Sequence, residues 1–434
     1  MFLPLLAMVV FFSCKEEGSV KIESSISLEQ KEVVLNPGGT ATLTATLIQA
    51  IDGSRVSTGD DVTLTWTSTN DSIVTVSDGV VTAVTGGEVD IIVSTTNVDN
   101  VPEQRCRVVV RDIYVAGEYG DKTTRTACVW KNNKVFYNLA SGANAFANAM
   151  VVTDNKDVYV AGNVNNVGKV WKNGAELYTT GLGTELKSLV VDGSDVYVAG
   201  ADASEAKVWK NGTAELSVVG ATFNALAVNG GTIYVGGKLD NKATIWKGDA
   251  ATTLTDAESV VNGLCINGAD VYAAGVEGVG KVWKSNQELY AFDNNTTATE
   301  VLFADNKLYT CGYQGNSSTS IKAKLWIDGT EKTASELGKE YLGEFVVGKN
   351  EQNKELYTYT DLFSAGIVEA HSIYISLDDI YVAGYFNSSN MTTAVYWKNG
   401  EPQSLEKNNI SETIWNSSFT PGANRTRATA IVVK

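Results

Sequence analysis

The residues able to do chemistry are few. The chain of 434 residues contains one histidine, His371, in the run "EAHSIYISLDD". A Ser–His–Asp triad would have to be built there, and no Gly-x-Ser-x-Gly elbow accompanies it. His371 therefore reads as an ordinary residue at the start of a strand, where equivalent segments carry Asn148, Lys187 or Asn224. Paired-carboxylate hydrolysis needs two acids roughly 5 to 9 Å apart, and none of the 50 acidic residues is singled out for it. There is no Asp-x-Asp-x-Asp-Gly loop, no Cys-x-x-Cys and no histidine-containing metal spacing, so neither metal nor cofactor is expected. Cys128, Cys265 and Cys311 fall at core positions and read as small buried hydrophobes. Whether Cys106 and Cys128 pair is left open, because sequence does not set their separation.

What remains is a set of aromatic residues beside short polar ones: Tyr119 with Asp121, Tyr313 with Asn316, Tyr385 with Asn387, and Trp415 in an extra stretch over 410–425. An insertion over 338–369 adds Tyr341 and Phe345. Rings combined with amides suit stacking on, and hydrogen bonding to, a sugar or a peptide. The alternative is that they only cover strand ends.

These residues interrupt a repeat. "DVYVAG", a variable stretch, then "KVWKNG" recurs with tyrosines at Tyr114, Tyr159, Tyr197, Tyr234, Tyr272, Tyr309 and Tyr381. The answering tryptophans are Trp130, Trp171, Trp209, Trp246, Trp283, Trp326 and Trp397. Successive tyrosines stand 45, 38, 37, 38, 37 and 72 residues apart, a spacing that marks a repeat architecture. Each unit offers four β-prone runs, with Asn-Gly suited to a type I′ turn between the last two. Four strands in so short a unit predict a propeller blade. The final run over 427–434 matches a first strand, and the run over 112–117 lacks one in front of it. One blade is thus expected to be shared between the ends, closing the ring and removing its edges. The segment 112–434 resembles a seven-bladed β-propeller; an eighth, degenerate blade around 353–361 is the alternative. A residue needed identically in every blade is a packing element, so function is expected in the loops after "YVAG" and between blades, which share one face.

Residues 19–110 differ, being rich in Thr, Ser and Val with strand-like alternation. Trp66, Ser68, Asn70, Val76, Gly79, Val81, Thr82 and Gly86 stand at spacings that resemble the bacterial Ig-like group 2 domain. The resemblance implies a β-sandwich with Trp66 between its sheets and a tight turn at Gly79, used as a stalk or adhesin module. The apolar run over 2–12 is too short to span a bilayer and has the length of a signal-peptide core. Ser13-Cys14 resembles a lipobox, implying a signal over 1–14, lipidation of Cys14 and a tether over 15–18. The charged run Lys15-Glu16-Glu17 resembles the export tag of Bacteroidetes surface lipoproteins.

The net charge of −16 disfavours nucleic acid and anionic membranes as partners, leaving lipid on Cys14 as the membrane contact. The fold class expected is all-β: an Ig-like sandwich followed by a closed propeller. The function expected is a lipid-anchored outer-membrane protein exposed at the cell surface, non-enzymatic, binding glycan or protein on the loop face. A propeller glycoside hydrolase or polysaccharide lyase is the alternative.

Overall fold

The computed structural model describes residues 22–51, 54–57, 63–96, 98, 100–120, 124–202, 204–315, 321–332, 344–346, 356–358, 367–376, 379–388, 391–399, 401–405 and 424–434. All regular structure among them is β-strand. The chain divides into two compact units, Met1–Arg111 and Asp112–Lys434.

The first unit carries three small sheets around one core of Val74, Val81, Ile91, Val93, Cys106 and Val108. Gln104–Val110 lies between Gly87–Thr95, antiparallel, and Glu32–Leu35, parallel. Half-buried Trp66 packs on that core. The hairpin Asp78-Gly79 has φ of 49° and 79°, and a side chain on Gly79 would meet the Leu43 carbonyl oxygen at 2.8 Å.

The second unit is a β-propeller: among the described residues five antiparallel four-stranded sheets keep chain order as spatial order, while the first and last repeats share one eight-stranded sheet, in which Asn424–Val433 also pairs in parallel with Met391–Lys398. Glu185–Asp192, Asp195–Ala201, Glu205–Lys210 and Thr213–Val219 form one of the four-stranded sheets. The Asn-Gly turns adopt positive φ at both residues, 50° and 84° at Asn211-Gly212, as a type I′ hairpin requires. The closing strand Asn424–Val433 pairs with Ile113–Gly120, bringing the two ends of the unit into one sheet. Asp112 and Lys434 also exchange both backbone hydrogen bonds, at 2.7 and 2.9 Å. Leu356–Thr358 is a strand, as the residue pattern around 353–361 predicts, and among the described residues it pairs with Glu344–Val346 in a two-stranded sheet.

The repeated aromatics pack between sheets rather than within one. Tyr114 shares a core cluster with Trp171, Tyr159 with Trp209, Tyr197 with Trp246, Tyr272 with Trp326, and Tyr309 with Trp397. Tyr381 shares one with Trp130, so the succession returns to its beginning. At the hairpin end, the Asn211 carboxamide accepts the Val196 N–H at 2.8 Å and donates to Asp195, while Lys210 pairs with Asp195 at 2.8 Å. The Lys210 ammonium also lies 5.3 Å from the Tyr197 ring centre. The same Asp–Lys–Asn grouping recurs at Asp112, Asp157 and Asp379. "DVYVAG … KVWKNG" is therefore accounted for residue by residue as structure.

The glycine of "YVAG" has the narrowest tolerance. A Cβ on Gly162, Gly200, Gly237, Gly275, Gly312 or Gly384 would stand 1.8 to 2.0 Å from a carbonyl oxygen of the adjoining first strand. Gly200→Ala is expected to cost about 3 kcal/mol, since backbone must move. Gly193→Ala, in open space at φ 60°, should cost about 1 kcal/mol from conformation alone. Urea unfolding of the two variants checks the ranking.

Candidate functional site

Opposite each of those glycines the first strand carries a β-bulge. The register shifts between Ala147 and Ala149, Leu186 and Ser188, Phe223 and Ala225, Val261 and Gly263, Ala298 and Glu300, and Ala370 and Ser372. The shift in the closing strand lies opposite Ala116 and Gly117. A bulge re-aims the extra residue's side chain. The seven extra residues, Asn148, Lys187, Asn224, Asn262, Thr299, His371 and Thr429, all line one cavity of about 220 Å³.

Five of them reach to the carbonyl just before the next strand's bulge. Asn148 Nδ2 donates to Leu186 O at 2.6 Å, Asn224 Nδ2 to Val261 O at 2.9 Å and Asn262 Nδ2 to Ala298 O at 2.9 Å. Thr299 Oγ1 donates to Ala370 O at 2.9 Å and Thr429 Oγ1 to Ala147 O at 2.5 Å. Lys187 breaks the pattern, its Nζ donating to Asn224 Oδ1 at 3.3 Å. The ring thus joins neighbouring sheets and walls a polar hole at once.

His371 belongs to this ring. It sits in the middle of Ile367–Ser376 rather than at a strand start, its Nε2 3.4 Å from Glu369 and its ring stacked on Tyr385 at 5.4 Å. Glu300 follows Thr299 and is the one carboxylate among the described residues that line the cavity. Its Oε2 accepts the Ile373 N–H at 2.8 Å. Burial pushes the Glu300 carboxyl up to about 7, against the opposing pull of hydrogen bonds from Ile373 and Ser372. No group of three or more metal-ligating side chains occurs among the described residues. The cavity offers amides, hydroxyls, one ammonium, one imidazole and one carboxyl; this is hydrogen-bonding chemistry toward a small polar ligand.

The residues expected from sequence are distributed differently. Tyr385 is buried behind His371. Tyr119 is half-buried and donates its hydroxyl to Asn138 Oδ1 at 2.9 Å. Tyr313 is half-buried, in Lys307–Gln314. Asn387 lies in the strand Asp379–Ser388. Asp121, Asn316, Trp415, Tyr341 and Cys14 lie outside the described residues. Cys106, Cys128 and Cys311 are buried free thiols and Cys265 is half-buried; burial raises the pKa of all four. The ring itself was signalled by a polar residue placed just before each first strand's apolar run, a position with no apparent purpose in a single repeat.

No protein-family model matches the chain, and no curated protein matches it. Solved structures similar to it include the WD40 β-propeller domain of Doa1, at 16% identity and a TM-score of 0.40, covering 62% of this chain and 93% of that one. The propeller domain of the Trilobed protease from Pyrococcus furiosus matches at 10% identity and 0.37, covering 75% and 96%. A quinonprotein alcohol dehydrogenase-like protein from Bacteroides thetaiotaomicron matches at 11% identity and 0.34, covering 93% and 96%.

A carboxyl raised in the folded state confers stability that is present below its unfolded value of 4.5 and is lost as pH rises through about 7. Between about pH 5 and about pH 8 the thermal midpoint is expected to fall, with Glu300 contributing to the slope. Glu300→Gln, which keeps the acceptor for Ile373, should flatten that part of the profile and melt higher than the parent at the alkaline end. An unchanged slope in calorimetry would contradict this.

Proposed function

We propose that the chain is an exported, lipid-anchored surface protein without catalytic activity, in which an Ig-like sandwich precedes a closed seven-bladed propeller that captures a glycan. The observation carrying this reading is the cavity wall, to which seven strands each contribute a polar side chain at the same register position. Hydroxyl-rich ligands satisfy such a wall, whereas an apolar peptide side chain would leave its groups unpaired. Glu300 has no second carboxylate beside it in the described wall, which favours binding over paired-acid hydrolysis.

Closure is supported by the end-to-end pairing of 113–120 with 424–433 and by the return of the Tyr–Trp succession to Trp130. The Ig-like assignment is supported by Trp66, which packs on the first unit's core, and by the tight turn at Gly79, the two features that the family's pattern implies. Export and lipidation rest on the run ending at Cys14, and surface exposure on Lys15-Glu16-Glu17. The half-buried rings of Tyr119 and Tyr313, together with Trp415, are assigned to secondary contacts with the same glycan.

On a glycan array the purified protein should retain at least one class of saccharide. Tyr119→Ala, Tyr313→Ala and Trp415→Ala should each weaken that binding by up to about tenfold, the worth of one aromatic contact. Retention of no saccharide ends the glycan reading, and full binding by all three variants removes these residues from it. Labelling of cells with an alkynyl fatty acid should mark the protein and fail to mark Cys14→Ala.

A further inference from the structure

Two consecutive positions in each first strand line the cavity: the bulge residue, polar but mostly uncharged, and a following residue that is mostly Ala, Gly or Ser; four strands add a third, apolar one, Met150, Leu189, Leu226 and Leu264. Three ionisable side chains break this regularity, and all three lie in the cavity: Lys187 and His371 on bulges, and Glu300 after one. In chain order around the wall, Lys187 is separated from Glu300 by two strands on one side, those carrying Asn224 and Asn262. It is separated from His371 by two on the other, those carrying Thr429 and Asn148. The cation and the Glu300–His371 pair therefore lie on different sides of the hole.

The hydrogen-bond polarity of the wall is defined by its own bonding. Asn148, Asn224 and Asn262 each commit one Nδ2–H to a neighbouring carbonyl, which fixes the carboxamide with Oδ1 as its acceptor; that of Asn224 already takes an N–H of Lys187 and keeps one lone pair. Acceptors call for ligand hydroxyls. Lys187 is half-buried, is paired with no carboxylate among the described residues, and uses one N–H in a long bond to Asn224 Oδ1. A partly desolvated ammonium with spare donors calls for an anion. Among the described residues no Trp, Tyr or Phe lines the cavity, so the wall they form grips a ligand by its edges and not by stacking on a ring face. A volume of about 220 Å³ suits a single six-carbon unit.

We infer that the cavity takes one polyhydroxy carboxylate of the uronic or aldonic acid class, its carboxylate on the Lys187 ammonium and its hydroxyls donating to the asparagine Oδ1 atoms. This rests on the cavity being the glycan site proposed above, and it specifies the chemistry of the sugar residue that enters. Glu300, on the other side from Lys187, faces the hydroxyl end of such a ligand.

Isothermal titration of the whole protein with D-galacturonate and D-gluconate, against D-galactose and D-glucitol as uncharged counterparts, tests it. At least one acid should bind about tenfold or more tightly than its counterpart, as loss of a charge-assisted contact requires. Lys187→Met should abolish that advantage while leaving the circular-dichroism melt in place, since Lys187 makes no bond to a neighbouring strand's backbone in the ring. A short oligogalacturonate included in the series separates the two sources of this chemistry: binding tighter than the monomer means a chain end, weaker binding means a free sugar acid. Equal affinity for acid and neutral sugar overturns the acid assignment and leaves the glycan reading standing, as does an acid preference that survives Lys187→Met. If no sugar titrates while the array still shows a saccharide bound, the glycan site lies outside the cavity and the inference fails with it.

Discussion

The second unit depends on one close approach, that of the backbone at the "YVAG" glycine to the neighbouring first strand. With a carbonyl oxygen 1.8 to 2.0 Å from where a Cβ would sit, only glycine permits the two strands to stay paired across a bulge. The bulge then adds a residue to the first strand and turns that residue's side chain out of the ordinary alternation. In five strands this side chain bonds the backbone just ahead of the next bulge. A local steric fact about one glycine is thereby converted into a bond between sheets and into a polar wall. The bulges also increase local twist, which suits sheets that must splay outward from a common centre.

Farther from the cavity, the sheets are held by the Tyr–Trp clusters, where six of the seven repeat tyrosines, all but Tyr234, share a core with a tryptophan of the neighbouring repeat. Such clusters are apolar and directionless, so they stabilise contact without specifying registration. Registration between sheets comes from the directional bonds of the bulge ring at the centre, while the Asp–Lys–Asn groups tie the second and third strands to each other within one sheet. Neutral amides suit the buried ring better than ion pairs do, because desolvating a charge costs more than an amide bond returns. The Lys–Asp pairs occur at the hairpin ends, where the cost of desolvation is smaller.

The strands, the type I′ turns and the packing role of the tryptophans were legible in the sequence because each is decided within one repeat: alternation, Asn-Gly, and the recurrence of Trp beside Lys. The cavity was not. Asn148, Asn224 and Asn262 look like strand-end polar residues in isolation, and their purpose exists only once a neighbouring carbonyl stands 2.6 to 2.9 Å away. His371 aligns in the sequence with Asn148, Lys187 and Asn224, yet its mid-strand position is hidden there, because a bulge leaves no mark on hydrophobic periodicity beyond a one-residue slip. The glycine was visible in every repeat, and its steric partner, in a different strand, was not. Tyr385 illustrates the converse: an aromatic that breaks the repeat looked like a binding residue, and in the fold it is buried, backing the imidazole of His371.

A repeat protein can acquire a specific site only where symmetry is broken, since identical side chains on every strand present the same chemistry all around the axis. The loops are one place to break it. The bulge ring is another, and a more constrained one, because a substitution there must either keep the inter-strand bond or do without it. Lys187 and His371 have no bond to the next strand's backbone among those described, whereas the five neutral members do. Glu300 occupies a position otherwise given to small residues, and Gly263 beside it has no side chain, where a Cβ would stand 2.6 Å from Glu300 Cα. The three departures thus forgo cohesion or demand space that a uniform ring would not. Their placement around one cavity is what a site asks of a structure that would otherwise be bonded alike on every side.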